Sequence, residues 1–406
     1  MPEQSYIRAT YLLSSSSAFD AEKKAKSIAL GQTTDTWTPL STKDFKTLER
    51  HRGVVLSVGQ VERIDSAYRC KVTIGFPPEN TEGDIPTLLT MIFGKVSLDG
   101  KIKLLDIDLP ETFLSRLARP KYGVDGMRRI TGVLDRPLAM AIFKPCVGLS
   151  AAELGDMFYQ TALGGADLIK DDEILPNIET APVEQRLEAC LKSAERARQA
   201  TRHHTLYAVN LTGPATKIFD QARRLASLGS NCFLLNVISY GYSVLEGLAK
   251  DSQINVPIMA HPAVSGGLSS SSEYGISYKI TLGKLMRAGG ADMVLFPSSY
   301  GTVALPTEEA FSIRDALREP MGTLPRVFPV PSAGIHPGLV PQIISDYGRD
   351  VIINAGGGVH GHPMGSQAGM AAVRQAIDLC MKGYSSEKMK ANAPAELREA
   401  LALWSK

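Results

Sequence analysis

Cysteine is scarce in this chain, and no two cysteines have CxxC spacing. An odd number of widely spaced cysteines does not indicate a disulfide framework or a zinc site. The first residues also lack the basic and apolar regions of a secretory signal. We therefore expect a protein of the reducing cytoplasm. The cysteines are Cys70, Cys146, Cys190, Cys232 and Cys380.

Long apolar runs and an excess of one charge are also lacking. The longest uncharged stretch, 225–245, is interrupted by glycines and asparagines and does not predict a membrane span. The 44 basic and 42 acidic residues leave a net charge of +2, without a basic stripe or an acidic tail. We therefore expect neither nucleic acid nor a membrane as partner, but a small molecule.

The remaining composition is that of an ordinary globular protein, with 44% hydrophobic and 21% charged residues. A chain of 406 residues is too long for one ordinary core. We predict two domains: an N-terminal α+β domain over residues 1–125, and a larger catalytic domain over 126–406 that ends in a helical extension.

In the larger domain, short β-rich runs alternate with amphipathic helical patterns. Eight such βα units predict a parallel (β/α)8 TIM barrel. The predicted strands are 138–143, 166–170, 205–211, 232–237, 256–260, 292–296, 327–332 and 351–355.

The N-terminal part has a different order of patterns. It predicts strands at 7–13, 53–61, 68–76 and 102–107, with helices at 21–30 and 84–93. This β-α-β-β-α-β order is typical of the ferredoxin-like fold.

Reactive groups of a parallel barrel follow the carboxyl ends of its strands. The second predicted strand ends at Lys170 and is followed by Asp171, Asp172 and Glu173. Strand alternation places Lys170 and Asp172 on the face toward the barrel mouth, where carboxylates suit a hard cation such as Mg²⁺. A lysine that reacts with CO₂ becomes a carbamate and would add an anionic oxygen ligand. The plainer alternative is a solvated acidic turn with an ion-paired lysine.

Glycines follow the seventh and eighth predicted strands, at Gly334 and at Gly356-Gly357. Glycines let backbone N–H groups approach an anion, and barrels commonly hold phosphate at these two strands. The alternative is that they only permit tight turns. Ser332 ends the seventh predicted strand and belongs to the same segment as Gly334. His261 follows the fifth predicted strand, where a histidine more often has a structural role than a catalytic one.

These residues resemble the large chain of ribulose-bisphosphate carboxylase over both predicted domains. The resemblance rests on segments 143–145, 164–173, 331–336 and 356–363. It implies that Lys170 is carbamylated by CO₂ and binds Mg²⁺ together with Asp172 and Glu173. The implied substrate-binding residues are Lys144, Lys170, Asp171, Asp172, Glu173, His261, Ser332, Gly334, Gly356 and Gly357.

The chain departs from the carboxylase at three places. Cys146 replaces a second lysine, Pro262 replaces an arginine, and the loop 298–309 contains no lysine. The carboxylase uses a lysine of that loop to stabilise its carboxylation transition state. The resemblance therefore implies a RuBisCO-like protein of type IV that does not fix CO₂.

Within this family, four segments are most similar to the 2,3-diketo-5-methylthiopentyl-1-phosphate enolases of methionine salvage: 93–100, 206–213, 257–263 and 300–305. The similarity implies an isomerase that enolises a small phosphorylated diketone with Mg²⁺. It also implies Lys95 as the catalytic base, supplied by the partner subunit of a homodimer with shared active sites and no small subunit.

Two alternatives remain open from the sequence. One is another RuBisCO-like isomerase, acting on 5-methylthioribulose 1-phosphate. The other is a non-catalytic barrel that binds phosphorylated metabolites.

Overall fold

The structure is a computed structural model that describes residues 5–36, 38 and 48–405. Its strands form two sheets, one for each predicted region of the chain. The first is antiparallel over its four main strands, and the second is parallel. None of the described helices is long and apolar enough to cross a membrane.

The N-terminal sheet has the order β5-β1-β4-β2, with β3 paired to β4. Two helices, Ala21–Gly31 and Ile85–Phe93, connect its strands in the predicted order. Burial alternates along β1, which is how one face of a sheet covers a core. The ferredoxin-like prediction is confirmed. The strands are β1 (Ile7–Ser15), β2 (Val54–Val58), β3 (Glu62–Ile64), β4 (Ala67–Phe76) and β5 (Lys101–Asp108).

The eight predicted barrel strands are all present, in the order β13-β12-β10-β9-β8-β7-β6-β14. The predicted TIM barrel is therefore confirmed. Its strands are β6 (Leu138–Ile142), β7 (Leu168–Lys170), β8 (Leu206–Asn210), β9 (Cys232–Leu235), β10 (Ile258–Ala260), β12 (Met293–Pro297), β13 (Phe328–Ser332) and β14 (Ile352–Ala355).

Helices connect these strands and surround the barrel. The longer ones are Ala151–Leu163, Val183–Thr201, Ile218–Ser227, Tyr242–Lys250, Thr307–Arg318 and Val340–Tyr347, together with Lys279–Lys284, which runs directly into Leu285–Ala288. The helical extension that follows β14 consists of Gly365–Met381, Ser386–Ala391 and Ala395–Trp404. Shorter helical turns lie at Pro78–Asn80, Lys95–Leu98, Glu111–Leu114, Val237–Tyr240, Gly266–Ser269, Pro337–Leu339 and Gly357–His360.

The helix Gly123–Thr131 joins the two regions. Val124 and Met127 on this helix pack against the inner cluster of the barrel. The predicted domain boundary between residues 125 and 126 falls within this helix.

The barrel has a seam between β13 and β14, because no backbone ladder joins these neighbours in the part of the chain that the structure describes. Phe328 N donates to Asp292 O on the β12 side, at 3.0 Å. The backbone nitrogens of residues 329 and 331 therefore face β14. Both residues are proline, which has no N–H to donate. A side-chain hydrogen bond crosses the seam instead, from Asn354 Nδ2 to Ser332 Oγ at 2.9 Å.

Strand alternation divides the barrel interior into an apolar floor and a polar rim. The floor contains Leu168, Ala208, Leu234, Met259, Val330 and Ile352. Two residues further along the same strands lie Lys170, Asn210, Asn236, His261, Ser332 and Asn354. The change of polarity marks where the packed core ends and a site begins.

The N-terminal sheet also contacts the barrel mouth of its own chain. β11 (Gly275–Ile276) pairs with β5 in parallel. Lys103 in β5 donates from Nζ to the carbonyl oxygens of Ser269 and Ser271, at 3.3 and 2.5 Å. These contacts attach the loop after β10 to the N-terminal domain.

Candidate active site

A cavity of about 1360 Å³ lies at the carboxyl ends of the barrel strands. This is the end of a (β/α)8 barrel that carries its chemistry. Among the cavity-lining residues are seven that the sequence predicted, from five different strands: Lys144, Glu173, His261, Ser332, Gly334, Gly356 and Gly357.

Lys170 lies beneath this cavity with no solvent exposure. Its Nζ donates to the carbonyl oxygen of Asp171 at 2.9 Å and lies 3.8 Å from Oε2 of Glu173. Burial lowers the pKa of Lys170, although the carboxylates of Glu173 and Asp172 act in the opposite direction. A lower pKa favours the neutral amine, which is the form that reacts with CO₂.

Asp172 is also almost fully buried, and it pairs with Lys144. Lys144 Nζ lies 2.6 Å from Asp172 Oδ2 and 3.0 Å from the Sγ of Cys146. Burial lowers the pKa of Lys144, but the hydrogen bonds to Asp172 and Cys146 outweigh it and raise the pKa above the ordinary value. Lys144 therefore stays an ammonium group at the edge of the cavity.

His261 contacts Glu173, the last of the three consecutive acidic residues. Its Nδ1 accepts from Ala263 N at 3.2 Å, and its Nε2 lies 3.3 Å from Glu173 Oε2. Because Nδ1 is an acceptor, the ring proton is on Nε2 and points to the carboxylate. Burial and the positive charge of Lys170 lower the pKa of His261, so the ring is neutral.

The donor set fits a hard cation if Lys170 carries a carbamate. No group of three His, Cys, Asp or Glu side chains within the described ranges is arranged to hold a metal ion. Asp172 and Glu173 nevertheless follow Lys170 closely in the chain, with Glu173 Oε2 3.8 Å from its Nζ, and a carbamate on that Nζ would add a further anionic oxygen to the set. All three donors would then be oxygen, which Mg²⁺ prefers.

Asp171 does not reach the cavity, contrary to its assignment as a substrate-binding residue. It is fully buried, and its carboxylate accepts from Tyr207 Oη at 2.5 Å and from Asn210 N at 2.9 Å. Arg186 completes the set, with Nη2 3.0 Å from Asp171 Oδ2. Strand alternation explains this, because the residue between Lys170 and Asp172 faces outward, toward the helix Val183–Thr201. Asp171 is a positioning residue.

Two asparagines that sequence reasoning missed hold the acidic loop. Asn210 Nδ2 donates to the carbonyl oxygens of Asp172, Glu173 and Leu175 at 3.2, 3.0 and 3.1 Å. Asn236 Nδ2 donates to the Glu173 carbonyl at 2.9 Å. The sequence did contain a signal for both asparagines. Each lies two residues after an inward-facing apolar residue, at the end of the third or fourth barrel strand, and therefore faces the barrel interior.

Family models match nearly the whole chain. The N-terminal domain of the ribulose bisphosphate carboxylase large chain matches residues 1–113, and its catalytic domain matches residues 123–404. The chain belongs to this family.

Relatives within the family have different names. A 2,3-diketo-5-methylthiopentyl-1-phosphate enolase of Bacillus pumilus is 46% identical over 98% of both chains. The crystal structure of a rubisco-like protein (MtnW) from Alicyclobacillus acidocaldarius is 43% identical, with a TM-score of 0.91 over 98% of this chain and 100% of that one. The dimeric archaeal Rubisco of Hyperthermus butylicus is 28% identical, with a TM-score of 0.89 over 100% and 97%. By its similarity to the enolases, this member of the family is an enzyme of the isomerase type.

Lys95, the predicted base, lies in the N-terminal domain of this RuBisCO-like chain. It is exposed at the start of the short helix Lys95–Leu98 and is not among the residues that line the cavity of its own chain. Leu98 beside it is 87% exposed. One chain by itself therefore does not bring Lys95 to its own barrel mouth.

The loop 298–309 lies along the cavity wall and contributes Tyr300, Leu305 and Glu309 to the lining. It is held by a hydrogen bond from Leu305 N to Ser298 O at 3.0 Å. The lysine on this side of the cavity is Lys103 of the N-terminal domain, which sequence reasoning missed because it lies outside the barrel. Both of its described hydrogen bonds go to backbone carbonyls, so it positions the neighbouring loop.

Proposed function

We propose that this protein is a 2,3-diketo-5-methylthiopentyl-1-phosphate enolase of methionine salvage. The reaction is the tautomerisation of this diketone to 2-hydroxy-3-keto-5-methylthiopentenyl 1-phosphate, without CO₂ fixation. The observation that carries the proposal is the 46% identity to a relative of that name over 98% of both chains. The buried Lys170 and Asp172, together with the half-buried Glu173 that lines the cavity, support it.

The residues proposed to hold Mg²⁺ are Lys170, as its CO₂-derived carbamate, together with Asp172 and Glu173. Bound there, the cation would polarise the diketone oxygens and stabilise the negative charge of enolisation. Lys144 adds an ammonium group at the edge of the same region. His261, which is neutral, orients Glu173 through its Nε2–H.

The phosphate group is assigned to the loops after β13 and β14. Gly334 has a φ of +70°, and a Cβ there would lie 2.6 Å from Thr302 N, so the backbone conformation requires glycine. A Cβ at Gly357 would meet no atom within 4 Å. Packing therefore does not explain that glycine, whereas a ligand close to its backbone would. Ser332 and Gly356 line the same part of the cavity.

Lys95 of the partner subunit is proposed as the base. It would remove a proton from the phosphate-bearing carbon, and the enol would form when a proton is returned to the neighbouring oxygen. A homodimer with shared sites accounts for its exposed position. It also accounts for exposed apolar side chains, 43–65% accessible, on the loops around the barrel mouth: Val147, Ile174, Val264, Leu268, Val303 and Met364. A dimeric Rubisco among the structural relatives is consistent with this assembly.

The composition of the same cavity supports the absence of carboxylation. The loop 298–309 offers no lysine, and Pro262 and Cys146 stand in place of two basic residues of the carboxylase. We do not expect a small subunit, and the cytoplasmic location stays a prediction.

A spectroscopic assay tests the proposal directly. Purified protein, supplied with Mg²⁺ and bicarbonate, is given the diketone phosphate, 5-methylthioribulose 1-phosphate or ribulose bisphosphate in parallel. We expect rapid enol formation from the first substrate only. Turnover of 5-methylthioribulose 1-phosphate without turnover of the diketone would replace the proposal by the isomerase alternative, and no turnover of any substrate would refute it.

A further inference from the structure

Asn354 is a buried polar residue of the cavity to which the proposed mechanism gives no role. It is 2% exposed, lies in β14 two residues before Gly356, and lines the cavity. Its Nδ2 donates to Ser332 Oγ across the seam between β13 and β14. Its Oδ1 has no hydrogen-bond partner among the described residues.

This unpartnered oxygen is costly unless a ligand uses it. A buried polar atom without a partner typically costs about 1–3 kcal/mol. The carboxamide can also turn by 180° if the Ser332 hydroxyl, which donates to the Val330 carbonyl at 3.0 Å, turns to donate to Oδ1 instead, and Nδ2 then becomes the free group. In either orientation one polar end of Asn354 is left for a ligand.

The position of Asn354 suggests which part of the ligand it meets. Ile352 belongs to the apolar floor of the barrel, so Asn354 is the next inward-facing residue of the strand. The glycines assigned to phosphate come after the strand ends, further out along the chain. Asn354 therefore lies deeper than the phosphate loops, toward the carbon skeleton of a bound ligand.

We propose that Asn354 is a substrate-binding residue that hydrogen-bonds an oxygen of the diketone skeleton. The inference rests on the proposed function. Enolisation turns a carbonyl oxygen, which only accepts hydrogen bonds, into a hydroxyl, which also donates. A carboxamide can donate to the first through Nδ2 and accept from the second through Oδ1, so it serves substrate and product without a change of charge.

Replacing Asn354 by leucine, a side chain of similar size without polar atoms, tests this. Asn354→Leu should lower kcat/KM for the diketone phosphate by about 10- to 100-fold, the usual effect of one lost buried hydrogen bond. The inhibition constant of inorganic phosphate should change less than about twofold, since the phosphate loops remain. Asn255→Leu on the exposed surface is the matched control and should leave both constants unchanged.

A purely structural role across the seam predicts a different pattern. Asn354→Leu would then lower the unfolding temperature and leave kcat/KM within twofold when it is measured well below unfolding, and that result would overturn the inference. A parallel loss of phosphate affinity would also overturn it. Asn354→Val is the second variant, because a β-branched side chain suits a strand position if the leucine variant does not fold.

The wild-type protein separates this inference from the proposed function. If the wild type does not enolise the diketone phosphate, the proposed function and this inference fall together. If the wild type is active and Asn354→Leu is equally active, only the inference falls.

Discussion

Lys170 combines two properties that rarely occur together in a lysine. It has no solvent exposure, and three acidic residues follow it directly in the chain, with Glu173 Oε2 3.8 Å from its Nζ. A buried ammonium group is unfavourable unless it is well paired, and the distance of 3.8 Å to Glu173 is long for a strong hydrogen bond. The carbamate proposed for Lys170 would replace this buried cation by an anion that a metal ion neutralises.

The variant Lys170→Ala should lose enolase activity by roughly a thousandfold or more, because it removes one of three proposed metal ligands. The wild-type enzyme should lose activity after exhaustive removal of CO₂ and regain it when bicarbonate and Mg²⁺ are added together. Lys192→Ala, at an exposed ion pair, is the control. Full activity in CO₂-free buffer would contradict the carbamate.

The variant Lys95→Ala should fold normally, because the side chain is exposed, and should lose nearly all activity, since a positioned base contributes about 100- to 10,000-fold. Circular dichroism and steady-state kinetics measure the two effects. Lys26→Ala, at a surface lysine of the same domain, should keep wild-type activity. Activity of Lys95→Ala within tenfold of wild type would exclude Lys95 as the base.

His360 gives the protein a predictable sensitivity to acid. Burial lowers the pKa of His360 to about 4, while its Nδ1 is bonded to Ser366 Oγ at 2.8 Å. A folded-state pKa below the unfolded value means that its contribution to stability is complete above about pH 6.5 and is lost as the pH falls toward 4. Between pH 7 and 4.5 the wild type should lose about 2 kcal/mol of unfolding free energy more than His360→Asn. Urea unfolding at both pH values measures this, and equal losses would contradict it.

Among secondary-structure elements, the end of β7 depends on the helix Val183–Thr201. Arg186 on this helix and Asp171 after the strand are both fully buried and lie 3.0 Å apart. Removal of one partner leaves an uncompensated buried charge, which typically costs about 3–5 kcal/mol. The pair therefore fixes the backbone from which Asp172 and Glu173 begin.

Arg186→Leu should accordingly lower the unfolding free energy by about 3–5 kcal/mol, as measured by urea denaturation. Arg198→Leu, at an exposed ion pair on the same helix, should cost less than about 1 kcal/mol. A small effect of Arg186→Leu would mean that Asp171 is not held as a buried ion. Asp171 would then again be a candidate for contact with the substrate.

The seam between β13 and β14 is a second feature at this scale. Pro329 and Pro331 remove the N–H groups that would join β13 to β14, and the Asn354–Ser332 hydrogen bond replaces them. The two strands that carry the proposed phosphate loops are thus linked by side chains rather than by a backbone ladder.

For the whole molecule, the proposed mechanism requires that Lys95, the proposed base, reaches the proposed metal ligands. The cavity lies at the barrel mouth, and although Lys103 of the N-terminal domain lines it, Lys95 of the same domain does not. In the proposed homodimer, the N-terminal domain of each chain would bring its Lys95 to the barrel of the other.

Two inactive variants should therefore restore each other's activity. A mixed dimer of Lys95→Ala and Asp172→Ala has one site with both defects and one intact site. Co-expression of equal amounts, with random pairing, should recover about a quarter of wild-type activity. Differently tagged chains allow the mixed dimer to be isolated and assayed. Its inactivity would place Lys95 within the site of its own chain or outside catalysis.

The sequence by itself determined the barrel, the ferredoxin-like domain and the cluster of Lys170, Asp172 and Glu173. These follow from local rules, because strand alternation and the spacing of apolar residues depend on neighbours in the chain. Seven of the predicted residues also line one cavity, since parallel strands bring their carboxyl ends together.

Only the tertiary structure decided which side chains serve the site and which support it. Asp171 differs in role from Lys170 and Asp172 because its carboxylate is bound by Arg186 and Tyr207, which lie 15 and 36 residues further along the chain. Asn354 became a site residue through its contact with Ser332 and its unpartnered oxygen. Such roles arise from contacts between residues that are distant in sequence, and no local pattern encodes them.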